Sequence, residues 1–308
     1  MNYLIETKQL TKRYGSYKAV NEVNLHLEKG AIYGFIGRNG AGKTTFLKMI
    51  CGMAAPTSGE ITLLGKKGKE LSEVMNRVGT LIEAPGIYPN MSAYDNIRLK
   101  CKAAGINKPN YIEPIIELIG LTKAGKKNVG CFSLGMKQRL GIGMALVGDP
   151  EILLLDEPIN GLDPQGIMEV RETLLKLNKE RGITIIISSH ILEELAKIAT
   201  HFGIIDNGVL VEEMDREQLF AKCQERISIK LENPDEAVTV IKEMGYTNYK
   251  IIDTDTIEIY EKLDSTPELI FALADKKIRV QSIGTKSEAL EDYFINCLLY
   301  TSDAADDK

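Results

Sequence analysis

Gly37–Thr44, with the sequence GRNGAGKT, matches the pattern G-x-x-x-x-G-K-[ST] at every fixed position. It follows a compact apolar run, Ala31–Ile36, which predicts a strand, and it precedes Thr44–Gly52, which predicts a helix. Glycines let the backbone wrap closely, so that amide N–H groups can point at phosphate oxygens. A glycine-rich turn alone would also fit, but the strand before the loop and the helix after it favour a phosphate-binding loop.

The side chains of this loop predict the ligand. Lys43 supplies a positive charge for the β- and γ-phosphates of a nucleoside triphosphate, and the Thr44 hydroxyl can bind Mg²⁺. The N-terminus of the following helix adds partial positive charge. We therefore predict ATP and Mg²⁺ as cofactors. The residues of this segment predicted to contact the nucleotide are Gly37, Asn39, Gly40, Ala41, Gly42, Lys43, Thr44 and Thr45.

A second motif places two carboxylates after an apolar run. Ile152–Pro158 reads ILLLDEP, and Pro150–Leu155 predicts a strand buried on both faces of a parallel sheet. Asp156 would hold Mg²⁺ directly or through water, and Glu157 would polarise the attacking water. A plain strand end is the alternative, and the upstream loop favours the catalytic interpretation.

Five motifs occur once each in a fixed order, namely Gly37–Thr44, Glu83, Ser133–Arg139, Ile152–Pro158 and Ser188–His190. This set resembles the nucleotide-binding domain of an ABC transporter. The resemblance implies ATP hydrolysis that powers a membrane transporter. It also implies functions for residues that would carry little information alone.

Ser133–Arg139 resembles the signature motif of the family. Ser133 and Gly135 match it, whereas Leu134 and Met136 replace a glycine and a glutamine. In the family this motif faces the phosphate-binding loop of a second subunit. The resemblance therefore implies a head-to-tail dimer, with a homodimer favoured, in which Ser133 and Gly135 contact ATP. A serine before a helix is also a common cap, which is the alternative.

Three further residues match functional positions of the family. Tyr14 matches the aromatic residue that stacks on adenine, and Asp163 lies in Asn160–Asp163, which matches the loop that crosses the dimer interface. His190 matches the histidine that contacts the γ-phosphate, and it follows a predicted buried strand, Ile183–Ser188, at the end where α/β sheets bind ligands. The alternatives are an ordinary tyrosine, a turn before a helix and a structural histidine. The predicted catalytic residues are Lys43, Glu157 and His190.

Glu83 departs from the family, which normally has glutamine at this position. A carboxylate is a stronger ligand for hard cations than an amide, and it adds negative charge near the triphosphate. The predicted metal ligands are Thr44, Glu83 and Asp156. Together with Ala84 and Pro85, and with Phe132–Lys137, the glutamate resembles the branch that exports bacitracin and lantibiotics. The resemblance extends from residue 1 to about residue 294.

Alternating strands and helices predict an α/β fold, here a P-loop NTPase domain of the ABC ATPase type over residues 1–222, with a helical subdomain at about 85–150. Residues 223–296 predict a small α+β accessory domain with ferredoxin-like order. Residues 297–308 match no pattern and are interpreted as a disordered tail or a cloning or sequencing artefact.

Composition limits the partners. The chain of 308 residues carries a formal net charge of −5, which does not favour a nucleic-acid surface. Its five cysteines are scattered without a CxxC pair, so neither a disulfide framework nor a zinc site is predicted. No signal peptide is predicted, and no apolar run approaches the roughly 18–20 residues that span a bilayer. We expect a separate membrane permease and a cytoplasmic location, peripheral on the inner face of the membrane.

Two alternatives remain from the sequence. One is another ABC exporter or an importer, although an importer would be expected to have glutamine at position 83. The other is a soluble ABC ATPase that acts on the ribosome or on nucleic acid. Such proteins usually carry two motif sets or a long coiled coil, whereas this chain has one set and an acidic balance.

Overall fold

A computed structural model describes residues 3–286 except 224 and 233, together with 290, 292–295 and 297. The described residues form two compact units, one within 3–216 together with 297 and one within 217–295. The predicted domain boundaries at 222 and 296 stay a prediction. Apart from Cys297, the segment 297–308 lies outside the described residues.

The first unit contains two sheets and the helices around them. Its described strands are β1 (Ile5–Tyr14), β2 (Tyr17–Val23), β3 (His26–Leu27), β4 (Ile32–Ile36), β5 (Ser58–Leu63), β6 (Lys66–Lys67), β7 (Val78–Leu81), β8 (Ile152–Asp156), β9 (Thr184–Ser189), β10 (His201–Asp206) and β11 (Val209–Asp215). Its described helices are α1 (Lys43–Ile50), α2 (Ala93–Ala103), α3 (Ile112–Leu118), α4 (Leu134–Ala145), α5 (Pro164–Arg181) and α6 (Leu192–Ala196), and α7 (Arg216–Cys223) follows.

The larger sheet has the strand order β11-β10-β4-β9-β8-β7. The pairs from β10 to β7 are parallel, and β11 pairs antiparallel with β10. Every residue of β4 and β8 is buried, as expected for strands covered on both faces. The predicted α/β architecture is therefore observed. The strands that precede the phosphate-binding loop and Glu157, β4 and β8, both pair with β9.

The smaller sheet has the order β2-β1-β5-β6, with β3 also paired to β1, and its pairs are antiparallel. Helix α1 packs in the core cluster that both sheets share. Phe46 of α1 lies with its ring centre 4.8 Å from that of Phe35 in β4, and both are fully buried. Because α1 begins at Lys43, this packing fixes the helix end that follows the phosphate-binding loop.

Close packing also positions α4, which follows the predicted signature motif. A Cβ atom at Gly141 would lie 2.8 Å from the Cβ of Pro85, and one at Gly143 would lie 2.6 Å from Cδ1 of Ile119. Both glycines therefore let α4 approach its neighbours more closely than a larger residue would allow. No helix of the described residues is long and apolar enough to cross a bilayer.

The second unit has the element order β12 (Arg226–Leu231), α8 (Pro234–Glu243), β13 (Tyr249–Ile251), β14 (Thr256–Ile259), α9 (Thr266–Asp275) and β15 (Val280–Lys286). Its sheet has the order β13-β14-β12-β15, with antiparallel neighbours throughout. Apolar residues of β12, β14, α8 and α9 form a separate core. The ferredoxin-like assignment of this unit stays a prediction.

Candidate active site

The predicted site residues follow the C-terminal ends of strands in the parallel sheet. Gly37–Thr44 begins directly after β4, Asp156 ends β8, and His190 follows β9. Strands β4 and β8 both pair with β9, so these three segments meet at one edge of the sheet. Glu83 follows β7, which pairs with β8 on the other side. This edge is where open α/β sheets bind their ligands.

Glycines shape the loop that follows β4. A Cβ atom at Gly37 would lie 2.5 Å from the carbonyl oxygen of Ile205 in β10, so only glycine fits against that strand. Gly42 has φ +110, and a Cβ there would overlap the carbonyl of Ala19. The amide of Gly208 also donates to Ala41 O at 2.9 Å. The loop is therefore held tightly against β2 and the β10–β11 turn.

Lys43 lies inside this loop, with only 6% of its side chain exposed. Its ammonium donates to the carbonyl oxygens of Gly37 (2.6 Å) and Arg38 (3.1 Å). It also lies 3.2 Å from Oε1 of Glu157. A buried ammonium requires such partners, and they place one positive charge between the loop and the carboxylate after β8.

Asp156 is buried, and two hydroxyl groups hold its carboxylate. Thr44 Oγ1 donates to Oδ2 at 2.7 Å, and Ser188 Oγ donates to Oδ1 at 2.5 Å. Thr44 and Asp156 therefore present adjacent hard oxygen ligands. Among the described residues, no group of three or more His, Cys, Asp or Glu side chains could hold a metal ion alone. Mg²⁺ typically uses one or two carboxylates with substrate phosphates and water, so the oxygen pair fits this ion.

Glu157 comes directly after Asp156, and its backbone has a left-handed conformation, with φ +48. Its carboxylate Oε2 lies 3.0 Å from His190 Nδ1, so the structure brings the predicted base and the histidine predicted to contact the γ-phosphate together. Its Oε1 lies at ion-pair distance from Lys43 but accepts no hydrogen bond from the described residues, although it is buried. A buried carboxylate oxygen with free acceptor capacity suits the activation of a water molecule.

Glu83 also has a left-handed backbone, with φ +64. Its carboxylate binds Lys48 Nζ of α1 at 2.5 Å, and 64% of its side chain is exposed. The hydrogen bond to Glu83 raises the pKa of the Lys48 ammonium; desolvation lowers this pKa, and the negative charges of Glu83 and Asp156 raise it further. The metal-ligand assignment of Glu83 stays a prediction. Lys48 is not among the residues predicted for the site, although its position one helical turn after Thr44 was an available signal.

A cavity of about 370 Å³ borders the loop, and its lining includes Gly40, Lys43 and Glu157. Tyr14 lies in this lining with an exposed ring, as expected for a residue that stacks on a base. Tyr17 lies there as well, and its hydroxyl donates to Gly40 O at 3.4 Å. Sequence reasoning missed Tyr17, for which only its spacing from Tyr14 could have served as a signal.

The residues assigned to the dimer interface do not line this cavity. Ser133 caps α4, where its Oγ accepts from the amide of Met136 at 3.2 Å. Asp163 caps α5, where its Oδ1 accepts from the amide of Gly166 at 3.0 Å. Gly135 packs closely against Gly166, because a Cβ at Gly135 would lie 3.3 Å from its Cα. The capping alternatives are thus observed within the chain, and contacts across a dimer stay a prediction.

Comparisons with known proteins agree with this geometry. The family model described as ABC transporter matches residues 20–160. The chain is 42% identical to the bacitracin transport ATP-binding protein BcrA of Bacillus licheniformis over 300 residues, which cover 97% of this chain and 98% of that protein. It is 41% identical to the lantibiotic transport ATP-binding protein SrtF of Streptococcus pyogenes over 212 residues, which cover 69% of this chain and 91% of that protein.

The fold is also similar to solved structures. The structure of cbiO1 from Clostridium perfringens, part of the ABC transporter complex cbiONQ, has a TM-score of 0.65 at 23% identity. The similarity covers 79% of this chain and 96% of that one. The predicted α/β fold with a phosphate-binding loop is therefore confirmed.

Proposed function

Since the chain belongs to the ABC transporter family and is an ATP-hydrolysing subunit of a transporter, we propose that it powers the export of peptide antibiotics such as bacitracin or lantibiotics. The observation that carries this proposal is the match to the bacitracin transport protein, which extends over nearly the full length of both chains. That match includes the second unit. The lantibiotic relative supports the same substrate class over a shorter range.

For nucleotide binding, we assign the adenine contact to Tyr14 and the phosphate contacts to Gly37–Thr45. The ring of Tyr14 lines the cavity beside the loop, and Lys12 Nζ lies 5.2 Å from its centre. Thr44 and Asp156 would hold Mg²⁺, which lowers the cost of charge building up on the phosphates. Glu83, which follows the neighbouring strand β7, is proposed as a further ligand of the same metal ion.

For hydrolysis, we assign the general base to Glu157. His190 orients this carboxylate through the 3.0 Å contact with Oε2, so Oε1 is the oxygen that accepts a proton from the attacking water. Lys43 and His190 stabilise negative charge on the γ-phosphate. As in other phosphoryl transfers, positioning and electrostatic stabilisation supply most of the rate enhancement.

Partners follow from the same family. We propose a separate membrane permease and a second, identical ATP-binding subunit arranged head to tail, so that Ser133, Gly135 and Asp163 of one copy face the nucleotide of the other. The exposed helix start at Ser133 supports this arrangement, since helix N-termini attract phosphate. The location would then be cytoplasmic, peripheral on the inner face of the cell membrane.

Antimicrobial susceptibility tests the substrate class. A sensitive host that expresses this chain with its membrane permease is expected to gain resistance to bacitracin or to a member of a lantibiotic panel. Glu157→Gln is expected to remove that resistance, because export requires hydrolysis. A membrane-bound, ATPase-active complex that confers no resistance to any of these peptides would contradict the proposed substrate class.

We propose that Glu83 couples hydrolysis to transport, because the residue at this position of the family links the ATP site to the membrane subunit. Glu83→Gln tests this coupling. The amide removes the carboxylate charge, so that the hydrogen bond from the Lys48 ammonium to residue 83 becomes weaker, while Lys43, Asp156 and Glu157 keep their contacts. We expect ATPase activity to stay within about threefold of the unaltered chain, whereas resistance in the host falls. Lys108→Met, which breaks the exposed pair with Asp149, is the control and should change neither. Equal resistance of hosts that carry glutamate or glutamine at position 83 would contradict the prediction.

A further inference from the structure

Ser188 is the second-last residue of β9 and begins the motif Ser188–His190, in which only the histidine has been assigned a function above. It is fully buried, with 0% of its surface exposed. Strands β8 and β9 are parallel neighbours, and their register pairs Ser188 with Asp156. The serine therefore lies beside Asp156, whose carboxylate we assign to Mg²⁺ and which directly precedes Glu157 in the chain.

The hydroxyl of Ser188 contacts both acidic residues. It donates to Asp156 Oδ1 at 2.5 Å and accepts from the backbone amide of Glu157 at 3.0 Å. The same amide lies 3.2 Å from the carbonyl oxygen of Ser188. One buried residue thus holds the side chain of Asp156 and the backbone of Glu157.

We propose that Ser188 is the positioning residue of the two-carboxylate site. Its bond to Oδ1 stops the Asp156 carboxylate from rotating, so that Oδ2 stays beside the Thr44 hydroxyl, where the metal would bind. Its bonds to the Glu157 amide hold a backbone that is unfavourable for a non-glycine residue, at φ +48. Ser188 thereby sets the relative placement of the metal ligand and the base.

A purely structural role would have a different consequence. Removing a hydroxyl that merely satisfies a buried carboxylate would lower stability without changing the chemistry. The other end of the same strand provides the comparison, because Thr184 is equally buried and its hydroxyl accepts from the amide of Gly30 at 2.8 Å. Thr184→Val therefore removes a buried hydroxyl that touches neither carboxylate.

The test uses the full chain and two readouts, and it rests on the proposed ATPase site. The first readout is the Mg²⁺ concentration at which a non-hydrolysable ATP analogue raises the melting temperature. The second is kcat and KM for ATP. Loss of an outer partner of a metal ligand typically costs 10–100-fold in metal affinity or activity. We therefore expect Ser188→Ala to need about tenfold more Mg²⁺ and to lose about 10–100-fold in kcat, with KM within about threefold.

The controls separate the possible outcomes. Thr184→Val should match the unaltered chain in both readouts, and Ser188→Thr, which keeps a hydroxyl, should recover most of the loss. If the threonine does not fold, Ser188→Cys, a weaker donor of similar size, should fall between serine and alanine. Ser188→Ala behaving like Thr184→Val would overturn the inference. An unaltered chain that shows no Mg²⁺-dependent shift would instead overturn the proposed nucleotide site.

Discussion

Glu157→Gln is expected to abolish ATP turnover while leaving ATP binding intact. Glutamine keeps the size of the side chain but cannot accept a proton from water at neutral pH. General base catalysis typically contributes 10²–10⁴-fold, so the rate of phosphate release should fall by at least about 100-fold. Lys43, Thr44 and Asp156 are unchanged, and the amide removes a negative charge 3.2 Å from Lys43. The ATP affinity should therefore be equal or higher.

The same variant reports on assembly. If hydrolysis reopens a dimer that ATP closes, a chain that binds ATP without cleaving it should accumulate as a dimer, which size-exclusion chromatography with Mg-ATP would show. Glu151→Gln is the matched control, because Glu151 lies just before the same strand and pairs with Arg77 away from the loop. It should retain turnover and show no trapped dimer. A monomeric Glu157→Gln chain that hydrolyses ATP at the normal rate would refute the assignment of the base.

The parts of the site that the sequence predicts are those carried by one continuous segment. Ala31–Ile36 and Thr44–Gly52 predict a strand and a helix, and the structure has β4 and α1 within two residues of these bounds. A buried apolar strand ending in Asp156 is equally local. In each case the hydrophobic pattern and the loop residues lie within one short segment of the chain. The prediction therefore needs no knowledge of the order of strands in the sheet.

The contacts that the sequence does not predict join segments that are distant along the chain. Ser188 touches Asp156 only because β9 lies between β4 and β8, an order that the chain sequence does not state. Lys48 meets Glu83 because the backbone of Glu83 turns to φ +64, which a pattern of residue types does not reveal. The contacts proposed for Ser133 require a second chain, and within one chain this residue simply caps a helix.

Gly42→Ala is expected to have the largest effect on nucleotide binding among substitutions outside the charged groups. Gly42 has φ +110, and its new Cβ would overlap the backbone oxygen of Ala19, which has no flexible end that can move aside. Either the loop or β2 must shift. Because Gly42 immediately precedes Lys43 and the first turn of α1, this shift would misplace both the ammonium and the helix N-terminus. We expect ATP affinity to fall by at least about tenfold, or 1.4 kcal/mol.

A second glycine serves as the control for Gly42→Ala. It separates the effect of the steric overlap from the free-energy cost of placing alanine in a left-handed backbone conformation. Gly30, in the turn before β4, has φ +78, and a Cβ there would meet nothing within 4 Å. Gly30→Ala therefore costs only the conformational free energy of about 1–2 kcal/mol. It should lower the melting temperature without changing the affinity for ATP. Gly42→Ala should lower both, as measured by thermal unfolding and by titration with a fluorescent ATP analogue. Equal ATP affinities in the two variants would mean that the loop tolerates displacement, and that its glycines serve the fold rather than the phosphate site.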